Sequence, residues 1–206
     1  EHLLKYVDDL PILRDTGCLF ITSAVESAND YILDIFDKQH TKEDFIQVAS
    51  LLRDIGLTLN PTFVTFTPWT SLKDYFDLLM LILELDLVNN IAPIQYAIRL
   101  LIPFGSRLLE LPLVQDIVGQ FDKTSLCHLW SHPDPLVDQL YEDIRDIVIE
   151  SQSNNETRQT IFEKVLKQTL VAKGNSEYDK LELQALRYPV TQQATPIPFL
   201  SEPWYC

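Results

Sequence analysis

Apolar residues in this chain switch repeatedly between continuous runs and three-to-four-residue spacing, and that switching predicts alternating strands and helices. A first run over 17–25 stops abruptly at Glu26-Ser27; a second, over 57–66, is closed by Pro68. A third spans 94–101, with Pro93 at its start and Pro103 after its end, positions that proline tolerates in strands. A short helix over 11–15 precedes the first run. After it, Asn29 or Asp30 can cap a helix carrying Ile32, Leu33 and Phe36 on one face. Thr41 caps the next, in which Phe45, Val48, Leu51, Leu52 and Ile55 recur at helical steps before Gly56 supplies a left-handed stop. Thr70 then caps a helix running to Leu85, with Leu72, Phe76, Leu79 and Leu83 toward the sheet.

Strands that alternate with helices pair in parallel through right-handed crossovers, so the fold class is α/β. The visible strands number three, whereas a complete barrel of this kind takes roughly 250 residues. Such a sheet keeps two long unpaired edges. Beyond the turn at Pro103-Phe104-Gly105-Ser106 a further helix starts near Leu108. An amphipathic helix over 136–150, a polar linker over 151–155 and a helix over 157–173 with Ile161, Val165 and Leu166 buried come next. The chain thus divides into an α/β part (1–112), a helical extension (113–186) and an extended, proline-rich tail (187–206). It contains no internal repeat.

Composition narrows the function classes. With 206 residues, 46% of them hydrophobic and 22% charged, the chain reads as folded. Its 30 acidic against 16 basic side chains give a net charge of -14, without the basic clusters that displace counterions from nucleic acid. The longest apolar run, 78–83, is broken by Glu84 and Asp86, far short of the roughly 20 residues a membrane-spanning helix needs. No signal-peptide pattern opens the sequence, which begins at Glu1. The cysteines, Cys18, Cys127 and Cys206, fit neither a disulfide framework nor a metal knot, and a reducing, cytoplasmic setting is the expectation. Cys18 reads as a small buried hydrophobe. Pro133 keeps His132 out of the helical conformation that a metal-ligating pair with His128 would require.

The candidate chemistry sits where strands end. Groups at the carboxyl ends of parallel strands face the ligand crevice, which singles out Glu26 and Ser27; the competing role for Glu26 is to cap the following helix. Gln95 and Arg99, four apart on the third run, share a face by strand alternation. Directed inward, Arg99 needs an anionic partner, for which substrate or cofactor is the candidate; directed outward, it is covered by a helix end.

Several separated motifs, taken in order, resemble a known family. They are Ser23-Ala24-Val25-Glu26-Ser27, Asp37-Lys38-Gln39-His40-Thr41, Leu51-Leu52-Arg53-Asp54-Ile55-Gly56-Leu57 and Phe66-Thr67-Pro68-Trp69-Thr70. To these are added Gln95 through Pro103, His132-Pro133-Asp134-Pro135 and the ending Leu200-Ser201-Glu202-Pro203-Trp204-Tyr205-Cys206. Together they resemble radical S-adenosylmethionine (radical SAM) proteins, specifically those with a CUAEP or CCAEP tail, over nearly the whole chain. The resemblance implies the second half of a partial (β/α) barrel, fourth to sixth strands, with a helical C-terminal extension. It also implies S-adenosylmethionine and a [4Fe-4S] cluster, whose one electron cleaves a carbon–sulfur bond to give a 5'-deoxyadenosyl radical.

Residue by residue, the resemblance implies that Glu26, with Ser27 beside it, accepts hydrogen bonds from the ribose hydroxyls, while Lys38 pairs with the cofactor carboxylate. The family more often has Arg at the latter position, and Lys makes a point-charge contact instead of a fork. Pro68, Gln95 and Arg99 fall in the substrate or cofactor pocket, and Cys206 becomes the first member of a redox-active Cys-Sec or Cys-Cys pair followed by Ala-Glu-Pro. The CxxxCxxC motif that holds the cluster does not occur in this sequence. Radical chemistry is therefore expected of a longer parent, with the N-terminal half of the same protein, an electron donor such as flavodoxin or ferredoxin, and a small-molecule or peptide substrate as partners. Two other readings stay open: a metal-independent barrel lyase with Glu26 as general base and Lys38 as electrostatic partner, and a non-catalytic half-barrel whose free sheet edge pairs with another subunit.

Overall fold

A computed structural model describes residues 2–174 and Ile197. Helices α1 (His2–Lys5) and α2 (Leu10–Asp15) lead into strand β1 (Phe20–Glu26), followed by α3 (Asp30–Ile35), α4 (Lys42–Asp54), β2 (Thr58–Phe63) and α5 (Leu72–Glu84). β1 and β2 pair in parallel from Phe20↔Thr58 to Ala24↔Thr62, and the register slips at Glu26, which faces Phe63. The mixed α/β class expected from alternation is the observed one.

Local chemistry decides where the helices begin. Asn29 caps α3 by accepting from the Tyr31 N–H, and Thr41 caps α4 in a capping box with Asp44. Gly56, at φ 78°, ends the turn after α4 in the left-handed conformation expected of it. α5 differs from expectation: Ser71, not Thr70, is its cap, reciprocated by Asp74. The Ser-x-x-Asp spacing carries that signal, and the Thr70 hydroxyl is instead engaged 2.8 Å from that of Thr67 in the preceding turn.

The boxes carry a pH dependence. The Thr41 backbone N–H and hydroxyl hold the Asp44 carboxyl below its usual range. Burial pushes Asp74 up, but the Ser71 hydroxyl, the Ser71 N–H and the Asn29 amide outweigh it and the net shift is down. A carboxyl whose folded pKa is depressed contributes stability above its unfolded pKa, about 3.9, and loses it as pH falls through the folded value. Thermal melts from pH 7 to 2.5 should therefore fall off below about pH 4, and the Thr41→Ala variant should lose about 1 kcal/mol at pH 7.

The third parallel strand is not formed. Pro93–Ala97 is a 3-10 helix, and the parallel sheet continues only as a bridge between Phe66 and Arg99, with Phe66 N–H donating to Ile98 and Leu100 N–H donating to Phe66. Side-chain amides take the missing strand's place on the outer edge of β2. Asn90 Nδ2 donates to the Leu59 carbonyl at 2.9 Å, and Gln95 Oε1 accepts from the Phe63 N–H at 2.7 Å. Pro61, between them, has no N–H to satisfy.

The next segment also departs from a simple helix. A 3-10 turn over Arg107–Glu110 and the short α6 (Pro112–Ile117) lead to an antiparallel hairpin, β4 (Val118–Asp122) and β5 (Cys127–Trp130), which pairs with β3 (Ile102–Pro103) in the order β3-β5-β4. Asp122 organises its turn by accepting from the Thr124 and Ser125 N–H groups. Helices α7 (Pro135–Ser153), capped by Asp134, and α8 (Arg158–Ala172), capped by Thr157, follow the expected periods. The linker is shorter than its polarity suggests: Ser151 is fully buried in α7 and accepts from Lys164 Nζ. The residues that α7 and α8 bury join those of α2, α4, β2 and α5 in one hydrophobic cluster. The proline-rich tail lies outside the described residues except Ile197, which is buried and accepts from Arg158 Nη2.

Candidate functional site

Glu26 stands on an unusual piece of backbone. Its φ is 65°, the β1–β2 register slips there, and the Ser27 N–H reaches back over it to the Val25 carbonyl at 2.8 Å. A positive φ spanned by an i→i+2 hydrogen bond is the rare, strained γ-turn, here at a residue with a side chain. Bulges and strained residues gather where a side chain must be re-aimed, which is an argument for function at Glu26. The capping alternative is not taken, since Asn29 caps α3.

The α3–α4 loop closes over this turn. Lys38 Nζ donates to Glu26 Oε1 at 2.9 Å, both side chains being partly shielded. His40 Nε2 lies 3.1 Å from the Val25 carbonyl. Ser27 is buried and its hydroxyl accepts from the Asn29 N–H. Sequence reasoning nominated Glu26, Ser27 and Lys38, and the fold brings them together. It did not nominate His40, although the residue stands in the quoted Lys-x-His-Thr stretch.

Beside the turn runs a groove of about 580 Å³, walled by β1 residues 21–25, the loop residues 37–40, Phe45 and Val48 of α4, Leu59, and His2 and Leu3 of α1. Lys38 belongs both to the ion pair and to this wall. The turn thus sets a carboxylate acceptor and its paired cation beside a groove of mixed polar and apolar lining.

The other nominated residues serve the scaffold. Pro68 is buried in the turn held by the Thr67 and Thr70 hydroxyls. Gln95 does not share a strand face with Arg99, because it lies in the 3-10 helix and spends its amide oxygen on β2. Arg99 points inward, but its anion comes from the chain itself: Nη2 is 2.8 Å from Asp138 Oδ1 and donates to the Trp130 carbonyl at 2.8 Å. The guanidinium lies 3.8 Å over the Trp130 ring and 4.8 Å from that of Tyr141. Asp138 and Tyr141, three apart on α7, present one face, but nothing in the sequence says which strand that face meets.

No family model, curated protein or solved structure matches this chain. Site chemistry must carry the functional reading. Among the described residues no three His, Cys, Asp or Glu side chains group to hold a metal ion, and no helix is long and apolar enough to cross a membrane. Cys18 is half-buried, Cys127 is buried, and Cys206 lies outside the described residues. Burial pushes the His132 imidazole down despite the nearby Asp138 and Asp134, keeping it neutral near pH 7. The residues fit unequally the two cofactors that the family resemblance implies. Glu26 and Lys38 suit a ligand with hydroxyls and a carboxylate, whereas three cysteines more than 75 residues apart do not make a cluster motif.

Proposed function

We propose that this chain is the second half of a radical SAM partial barrel and that its part is to bind S-adenosylmethionine, through Glu26 and Lys38. The single observation that carries the reading is the strained turn that holds Glu26 against Lys38 at the carboxyl end of β1. Bound S-adenosylmethionine supplies the carbon–sulfur bond that radical enzymes of this family break. This chain's residues bind and orient it. Glu26 accepts from the ribose hydroxyls, and Lys38 leaves Glu26 Oε1 for the ligand carboxylate. The [4Fe-4S] cluster and the cysteine motif belong to the N-terminal half of a cytoplasmic parent, the electron donor is a separate protein such as flavodoxin or ferredoxin, and Cys206 belongs to the parent's redox tail. The substrate is a small molecule or a peptide.

Titration calorimetry with S-adenosylmethionine tests this. The Glu26→Gln variant should bind at least tenfold more weakly, about 1.4 kcal/mol. Glu26→Gly should lose binding too, yet keep or raise its melting temperature, because glycine accepts φ 65° without strain and an ion pair this exposed contributes less than about 1 kcal/mol. A wild-type chain that shows no binding would remove the proposal. A clear drop in melting temperature for Glu26→Gly would assign Glu26 to the scaffold instead.

A second reading has an observation of its own. Among the described residues β1 pairs only with β2, and an uncovered edge accepts an extended segment. As a non-catalytic half-barrel the chain would pair there with another subunit, and it would form a stable complex whose affinity ignores the Glu26→Gln change.

A further inference from the structure

We infer that His40 is a positioning residue for Glu26: its Nε2–H, donated to the Val25 carbonyl, holds the strained turn in the conformation that presents the carboxylate. The inference deepens the S-adenosylmethionine reading and rests on it for its binding arm alone.

The Val25 oxygen accepts two hydrogen bonds, from the Ser27 N–H at 2.8 Å and from His40 Nε2 at 3.1 Å. The first closes the small ring around Glu26 and is geometrically bent. The second approaches from another element and fixes the orientation of the same carbonyl, hence the direction in which Glu26 leaves the strand. A carbonyl oxygen has two lone pairs and can take both donors.

The loop that carries His40 is anchored at both ends. At its start, Asp37 adopts φ 54° and the Lys38 N–H donates to the Leu33 carbonyl, closing α3. At its end, the Thr41 N–H donates to Asp44 Oδ2 in the capping box. Four consecutive residues therefore bring two contacts to one turn, Lys38 to the Glu26 carboxylate and His40 to the carbonyl just before it. The tautomer follows: the acceptor is a carbonyl, so Nε2 carries the proton.

The test uses the full chain and three variants. The amide nitrogen of glutamine reaches where histidine Nε2 lies, whereas that of asparagine falls near Nδ1. His40→Ala and His40→Asn should each speed hydrogen exchange at the Ser27 amide at least tenfold and weaken S-adenosylmethionine about tenfold; His40→Gln should restore both. Long-range proton–nitrogen NMR of the wild type should show the Nε2–H tautomer. An Nδ1–H tautomer, an unchanged Ser27 exchange rate in His40→Ala, or equal rescue by asparagine and glutamine would each overturn the inference. If His40→Ala does not fold, the glutamine–asparagine contrast decides. If the wild type does not bind S-adenosylmethionine, the functional proposal fails, while Ser27 exchange and the tautomer still decide the role of His40.

Discussion

The Phe66→Ala variant is expected to lose about 3–5 kcal/mol of unfolding free energy, a large share of the 5–15 kcal/mol that holds a domain together. Phe66 is 1% exposed, stacks 4.8 Å from Tyr75 of α5 and meets Tyr141 of α7 edge-on at 5.3 Å. Its backbone also makes the bridge to Arg99. One ring therefore joins the exit of β2 to two helices that are far apart in sequence, and its removal leaves a cavity that none of them can fill alone. Urea denaturation followed by circular dichroism measures the loss. Phe104→Ala is the control with the same chemistry. Phe104 is 81% exposed, and its removal should change stability by no more than about 0.5 kcal/mol. Equal losses in the two variants would mean that Phe66 does not organise the core.

The second large effect concerns Arg99. Asp138→Ala should cost about 2–3 kcal/mol, below the usual 3–5 kcal/mol for breaking a buried pair because the Asp138 side chain is 30% exposed. Two losses add. The Arg99 side chain, 16% exposed with its guanidinium between Trp130 and Tyr141, is left without its counter-ion, and the His132 N–H loses Asp138 Oδ2 as its acceptor. The double variant Arg99→Met, Asp138→Leu removes the orphaned charge and should recover at least about 1 kcal/mol, since apolar pairs often replace partly buried ion pairs with little penalty. A double-mutant cycle in urea reads the coupling directly. A cost below about 0.5 kcal/mol for Asp138→Ala would make the pair an ordinary surface contact. An Arg99 neutralised from within also has no standing need of a ligand's anion. For that reason the proposed binding site centres on Glu26 and not on Arg99.

What was legible in the chain is local. Asn29 and Thr41 cap helices because a short polar side chain satisfies the first free N–H groups wherever it sits. The apolar spacings of α4 and α8 identify which faces are buried, whereas α5 buries Tyr75, Leu78, Leu79 and Ile82 and leaves Leu72 and Phe76, expected on its inner face, only partly buried. Glu26 and Ser27 were readable as candidates because polar residues interrupt an apolar pattern at a strand end, whereas Lys38 came only from the family resemblance. The hairpin β4–β5 was not readable, because its strands are short and its turn is set by the Asp122 side chain. Gln95 and Arg99 show the same boundary more sharply.

The sequence by itself determined the first two strands and the helices around them, the caps of α3 and α4, the acidic balance and the strand-end position of Glu26, since all of these depend on neighbours a few residues away. Only the tertiary structure decided that side-chain amides of Asn90 and Gln95 would replace a third strand, that Arg99 would find Asp138, and that Glu26 would be held in a strained turn by Lys38 and His40. Each of those outcomes is a competition among distant partners for one donor, acceptor or charge. Which partner wins is set by the distances that packing allows, and a linear pattern of residue types contains no distances.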